Sequence, residues 1–213
     1  MCGICGQISL DFSTPISVNL LNSMNNTLVH RGPDDQGTFA NDYVGLAMRR
    51  LSIIDIAKGK QPISNEDKAI WIVFNGEIYN YIELRKKLVA NGHQFGTNSD
   101  TECIVHLYED IGIDFVNHLR GMFSLAIWDD RRKRLILARD RLGIKPLVYA
   151  ENKGKLLFAS EIKAILSDRA FPRELDYEAL ASYFTLGYIP APLSIFKRIK
   201  KLPPGHLAII DTN

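Results

Sequence analysis

Apolar positions along the chain recur at a spacing of two in some stretches and near 3.6 in others, and the switches divide it into strands and helices. Gly3 to Leu10 alternates loosely and reads as a strand that begins almost at the terminus. Ser17 is placed to cap a helix carried by Val18, Leu21, Met24 and Leu28. His30-Arg31-Gly32-Pro33-Asp34-Asp35 follows, a turn-rich run that no helix continues through. The pattern then predicts short strands at Gln36–Ala40, Tyr43–Met48, Leu51–Asp55 and Ala69–Phe74. Tyr81–Asn91 is amphipathic through Ile82, Leu84, Leu88 and Val89, with Gly92 at its C-terminal cap. Ser99-Asp100-Thr101-Glu102 has the form of a capping box opening a helix through Ile104, Leu107 and Tyr108.

The second half predicts successive antiparallel strands at Met122–Trp128, Leu135–Ala138, Pro146–Ala150 and Leu156–Ala159. Two helices, near Glu161–Leu166 and Tyr177–Phe184, precede a last strand at His206–Ile210. Many antiparallel strands with few helices point to an α+β protein, its sheets stacked and its helices on the outer faces.

Composition adds limits. The chain has 213 residues, 46% hydrophobic and 23% charged, an ordinary globular make-up. No linker, repeat or low-complexity tract divides it, so residues 1–213 read as one domain. The net charge is only +2, and the dense run Arg131-Arg132-Lys133-Arg134 reads as a solvated hairpin turn without interleaved aromatics. Nucleic acid is therefore not an expected partner. No apolar run approaches the roughly 20 residues that cross a bilayer, and MCGICGQISL lacks the features of a signal peptide. Three cysteines suit a reducing cytoplasm.

Cys2 is the first candidate for chemistry. A small residue at position two normally permits removal of Met1, which leaves a thiol and a free α-amine on one residue. That amine has a reference pKa of about 7.7–8.0, so part of it is neutral base near pH 7 and can take the thiol proton. Cys2-Gly3-Ile4-Cys5 also has CxxC spacing, which suits redox chemistry or half a zinc site. Zinc needs two more ligands, yet Cys103 stands alone and the histidines show no paired spacing, so no metal is expected. Cys5 reads as a small buried residue on the opposite strand face. Asn75-Gly76 is the strongest short hairpin signal, and the same pair can aim a carboxamide and a backbone N–H at one point, as an oxyanion hole does. Asp100 fits the first turn of a helix, and Arg50 could be a surface cation beside Arg49. Together they could instead hold the ammonium and the carboxylate of an amino-acid ligand.

These residues, in order, resemble the N-terminal glutaminase domain of glutamine-dependent asparagine synthetases. The likeness runs through Met1-Cys2-Gly3-Ile4, His30-Arg31-Gly32-Pro33-Asp34, Arg50-Leu51-Ser52-Ile53-Ile54-Asp55 and Phe74-Asn75-Gly76-Glu77-Ile78-Tyr79-Asn80. It continues through Ser99-Asp100-Thr101-Glu102, Arg139-Asp140-Arg141-Leu142-Gly143-Ile144-Lys145-Pro146-Leu147, Phe158-Ala159-Ser160-Glu161 and Lys201-Leu202-Pro203-Pro204-Gly205-His206. The resemblance implies a four-layer αββα sandwich of the N-terminal nucleophile hydrolase type. It implies Cys2 as nucleophile, with Asn75 and Gly76 as the oxyanion hole. Arg50 is implied at the glutamine α-carboxylate, Glu77 and Asp100 near its α-amine, and Leu51, Ser52, Ile53 and Ile54 along its pocket.

Glutamine is then the substrate and ammonia the product, passed to an ATP-dependent synthetase domain. The domain here needs no cofactor, because ATP and Mg are expected only in that partner, for which the last ~15–20 residues would be the lead-in. The chain is then either part of a longer protein or a free-standing subunit, and a homodimer stays open. Cys5 and Val148 depart from the usual residues at their positions. Two other functions remain: amidation of an acceptor other than aspartate, and a silent domain that binds glutamine for regulation.

Overall fold

The structure is a computed structural model that describes residues 1–12, 14–56 and 58–211. In chain order its elements are β1 (Gly3–Ser9), α1 (Val18–Asn26), β2 (Asp35–Ala40), β3 (Val44–Arg50), β4 (Ile63–Ser64), β5 (Ile70–Ile78), α2 (Tyr81–Ala90) and α3 (Asp100–Ile111). They continue with α4 (Phe115–His118), β6 (Gly121–Asp129), β7 (Arg134–Arg139), β8 (Val148–Asn152), β9 (Lys155–Ala159), α5 (Ile162–Ile165), α6 (Tyr177–Leu186), β10 (Lys200–Lys201) and β11 (Leu207–Asp211). One sheet has the order β10-β8-β9-β1-β3-β2 and the other β11-β7-β6-β5-β4. Neighbouring strands pair antiparallel in both.

Side chains alternate across a strand, so each sheet divides its apolar residues between two layers. Ile4 and Ile8 of β1 meet Val44, Leu46 and Met48 of β3, and pack against Val73, Ala126 and Trp128 from the other sheet. The reverse face of the first sheet, with Cys5, Ala47 and Leu157, is covered by Leu21 and Met24 of α1 and Ile165 of α5. The reverse face of the second, with Ile70, Ile72, Phe74 and Ile127, is covered by Leu84 and Leu88 of α2 and Ile104 and Tyr108 of α3. Helix, sheet, sheet and helix follow in order, so the αββα sandwich is the observed fold. Ser17 caps α1 by accepting from the Leu20 N–H at 3.2 Å, and the basic run lies at the turn between β6 and β7, with Arg134 opening β7. No helix among the described residues is long and apolar enough to cross a membrane.

Three expectations fail locally, each for a visible reason. Leu51–Asp55 is a loop, because the Arg50 guanidinium takes the carbonyls of Ile54, Asp55 and Ile56 at 2.8, 2.8 and 3.2 Å. A strand would have turned those carbonyls toward a neighbour. Asn75-Gly76 is not a turn but lies inside β5, where the ladder runs on through Asn75↔Ser124 and Gly76↔Phe123 to Ile78↔Gly121. The glycine serves close packing, since a Cβ there would sit 2.2 Å from the Met122 carbonyl oxygen. The capping box is half formed. Ser99 accepts from the Thr101 N–H, but Glu102 turns to the N–H groups of Gly96 and Thr97 rather than back to Ser99. The two-residue strands β4 and β10 have no sequence pattern to announce them.

Candidate active site

The apolar stripes that fill the layer between the sheets continue past the core, and their last members are polar. Cys2 extends the β1 stripe of Ile4 and Ile8, Arg50 extends the β3 stripe of Met48, and Asn75 extends the β5 stripe of Val73. All three line one cavity of about 200 Å³, together with Gly76, Glu77 and Asp100. Leu51, Ile53 and Ile54 line it too. Ser52 does not, and its N–H donates to Asp34 Oδ2 at 2.8 Å. Cys5 is fully buried beneath α1, where burial pushes its thiol far above the ordinary range. A CxxC pair acting as one unit is thereby excluded, for the two thiols face opposite sides of the sheet.

Cys2 is held along its backbone and at its sulfur. The Leu51 N–H donates to Cys2 Sγ at 3.4 Å, and the thiol lies 3.7 Å from the Leu51 carbonyl oxygen. Arg31 Nε donates to the Cys2 carbonyl at 2.9 Å while Arg31 Nη1 donates to Glu161 at 3.0 Å. Burial works against the Glu161 charge. Hydrogen bonds from Arg31, His30 and Lys163 outweigh it and hold that carboxyl below the usual range. Ser160 completes the frame by accepting from the Ile4 N–H at 3.0 Å and donating its own N–H to the Ile4 carbonyl.

The facing wall is β5. In an antiparallel strand alternate N–H groups point to the same edge, so those of Phe74, Gly76 and Ile78 share a direction. Phe74 N–H donates to Gln61 Oε1 at 2.7 Å and Ile78 N–H to Asp100 Oδ2 at 3.0 Å. Tyr79 N–H, of the other set, reaches Arg120 on the β6 side at 2.7 Å. The Gly76 N–H therefore lies on the cavity edge between two donors that are already occupied. Beside it the Asn75 side chain is 1% exposed, with Nδ2 3.5 Å from Ser124 Oγ. A backbone N–H and a carboxamide at one buried point are what a developing oxyanion requires.

Asp100 is 4% exposed at the start of α3. Burial raises its pKa above the ordinary carboxylate value against the pull of the Ile78 and Thr101 N–H groups, and the Glu77 charge raises it further. Arg50 is 5% exposed, and its guanidinium carries more N–H donors than the three loop carbonyls take. The remainder can still meet an anion in the cavity.

Four contributors were missed by sequence reasoning. Gln61 spans Phe74 and Thr101, donating to Thr101 Oγ1 at 3.2 Å, and no motif marks it. Arg31 stood in a quoted motif without a role. Met122 lines the cavity from β6. Lys145 is buried beside the terminus, its Nζ 3.3 Å from Met1 Sδ. It is delivered by a loop wound around Asp140, whose carboxylate accepts the N–H groups of Leu142, Ile144 and Lys145.

The chain belongs to the glutamine amidotransferase domain family, whose model matches residues 1–213. It is 45% identical over 218 residues to asparagine synthetase (glutamine-hydrolyzing) 2 of Bacillus subtilis, covering 99% of this chain and 29% of that protein. It is 43% identical over 207 residues to asparagine synthetase (glutamine-hydrolyzing) 1 of the same organism, covering 96% of this chain and 33% of that one. The chain thus spans about a third of the length of these relatives. Among solved structures, the glutamine phosphoribosylpyrophosphate amidotransferase of B. subtilis complexed with ADP and GMP shares the fold. Its TM-score is 0.68 at 18% identity, over 99% of this chain and 47% of that one.

Proposed function

We propose that this chain hydrolyses glutamine to glutamate and ammonia, as the glutaminase part of an asparagine synthetase-like amidotransferase. The observation that carries the reading is that Cys2, Asn75 and Gly76 line one cavity. With Met1 removed, the α-amine of Cys2 takes the thiol proton and the thiolate attacks the side-chain carbonyl carbon of glutamine. The C–S bond forms as the carbonyl π electrons move to oxygen, where Asn75 Nδ2 and the Gly76 N–H hold the negative charge. Collapse breaks the C–N bond, and ammonia departs with the proton held by the amine. Water then adds to the glutamyl thioester, releasing glutamate and restoring the thiol. Arg50 meets the α-carboxylate of glutamine, and Asp100 and Glu77 its α-ammonium. The acceptor is aspartate, activated by ATP in a synthetase domain outside residues 1–213, and the protein works in the cytoplasm.

The test is the intact mass of the purified protein followed by glutamate release from glutamine. Loss of the Met1 mass, glutamate release by the wild type and none by Cys2→Ala are expected. A processed wild type that releases no glutamate at high glutamine would overturn the proposal.

A further inference from the structure

On the helical side of the second sheet, away from the cavity, two imidazoles and two carboxylates converge. Glu66 comes from the turn between β4 and β5, His93 from the connection after α2, and His106 and Glu109 from successive turns of α3. One ligand-type atom from each lies within 4.8 Å of the others. His106 Nδ1 is 3.6 Å from Glu66 Oε2 and 4.0 Å from Glu109 Oε2, and His93 Nδ1 is 3.9 Å from Glu66 Oε1. These separations are too long for hydrogen bonds and close to those of ligands sharing an ion. Tetrahedral zinc with bonds of about 2.0 Å sets its ligand atoms roughly 3.3 Å apart.

An independent observation points the same way. His106 is 1% exposed, and among the described residues neither of its ring nitrogens has a hydrogen-bond partner; nor does the buried Glu109 Oε2. Such orphaned atoms are costly unless something satisfies them. The surrounding groups are arranged as outer-sphere supports. His93 Nε2 bonds Asp110 at 2.7 Å, which orients its Nδ1 lone pair inward, and Asp110 is itself held by Asn91. Glu109 Oε1 accepts from Asn65 at 2.9 Å and Arg131 at 3.2 Å, leaving Oε2 to face the cluster. Glu102 Oε1 lies 3.8 Å from His106 Nε2, on the far side of the ring. Phe95 closes the site edge-on to the His106 ring, and the exposed Glu66 leaves a route for an ion.

We propose that Glu66, His93, His106 and Glu109 bind one zinc ion in a structural site. Two imidazoles with two carboxylates favour a borderline cation of this kind over magnesium or calcium, which take all-oxygen sets. The ion ties the β4–β5 turn and the α2–α3 connection to α3, the helix that begins at Asp100. Sequence spacing hides it, because the ligands come from three separate segments.

The test is zinc binding to the full chain after chelator treatment, in a Cys2→Ala background so that the terminal thiol cannot compete. One equivalent of Zn²⁺ is expected to bind and raise Tm, and Co²⁺ is expected to give the visible bands of a four-coordinate site. Glu66→Gln and His93→Gln, which alter partly exposed residues and leave the core intact, are expected to weaken Zn²⁺ binding by at least ten-fold. Asp110→Asn is expected to weaken it by about 10–100-fold. No stoichiometric Zn²⁺, or binding unchanged in Glu66→Gln and His93→Gln, would overturn the site. The glutaminase reading stands or falls separately, since nothing in this test reads glutamate.

Discussion

The two walls of the cavity are built on different principles. The β5 wall is a continuous ladder, hydrogen-bonded to β6 from Ile70 to Ile78 and covered by α3. The opposite wall, residues 51–56, is a loop gathered by one guanidinium and tied to residue 98 by Asp55, which accepts the Asn98 N–H at 2.7 Å. Asn75 and Gly76, the pair proposed to hold the oxyanion, sit on the ladder. Those that shape the space around a ligand sit on the loop. Precision is stored where a ladder of backbone bonds shares it, and adaptability where a few side chains hold the loop.

The largest effect should come from breaking the ladder. Gly76→Ala forces a Cβ to 2.2 Å from the Met122 carbonyl oxygen. Strand separation should cost about 1–3 kcal/mol or more, seen as a lower Tm together with loss of glutamate release. Asn75→Ala keeps the strand and removes one donor, so kcat should fall by on the order of 10²–10³ with KM little changed. If that variant turns over glutamine within a few-fold of wild type, the oxyanion assignment fails.

Arg50→Lys tests the other wall. An ammonium cannot span three carbonyls and a carboxylate, and at about 1.5–3 kcal/mol per charged hydrogen bond KM should rise on the order of ten-fold or more. The β5 geometry should survive, so kcat should change less than in Asn75→Ala. Asp100→Asn is the mildest for stability. A folded-state pKa raised by burial means that Asp100 loses stability as pH climbs from the ordinary carboxylate value through the raised one. The Asn variant escapes that loss. Its denaturation midpoint should equal or exceed wild type at pH 7, with the advantage gone in acid below the ordinary carboxylate pKa, while its KM for glutamine rises.

Legibility in the sequence follows the same division. The layers were readable because period-two and period-3.6 patterns report burial directly, and Ser17 capped its helix as expected. Cys2, Asn75, Gly76, Asp100 and Arg50 could be named because they stand in compact motifs. Their assembly could not be derived from spacing, since β1, β3 and β5 meet only through pairing across the two sheets. Local signals misled where a long-range partner outweighed them. Asn-Gly suggests a turn until the ladder with Ser124 and Phe123 is known, and Leu-Ser-Ile-Ile-Asp suggests a strand until the Arg50 side chain claims its carbonyls. Gln61 was silent because a single buried polar residue has no period, and Lys145 stood in its motif without a role. His93 and His106 were passed over because their proximity is a product of tertiary contact alone.

The continuation of core stripes into the cavity has a consequence for how the chain can change its length. A strand addresses its two faces by parity. Inserting one residue in β5 between Val73 and Asn75 would rotate the carboxamide toward α3 and place its neighbour in the cavity. Two inserted residues would restore the face but carry the group about 6.6 Å along the strand, out of line with Cys2. The distance from the buried core to the cavity is therefore fixed as a count, in three strands at once.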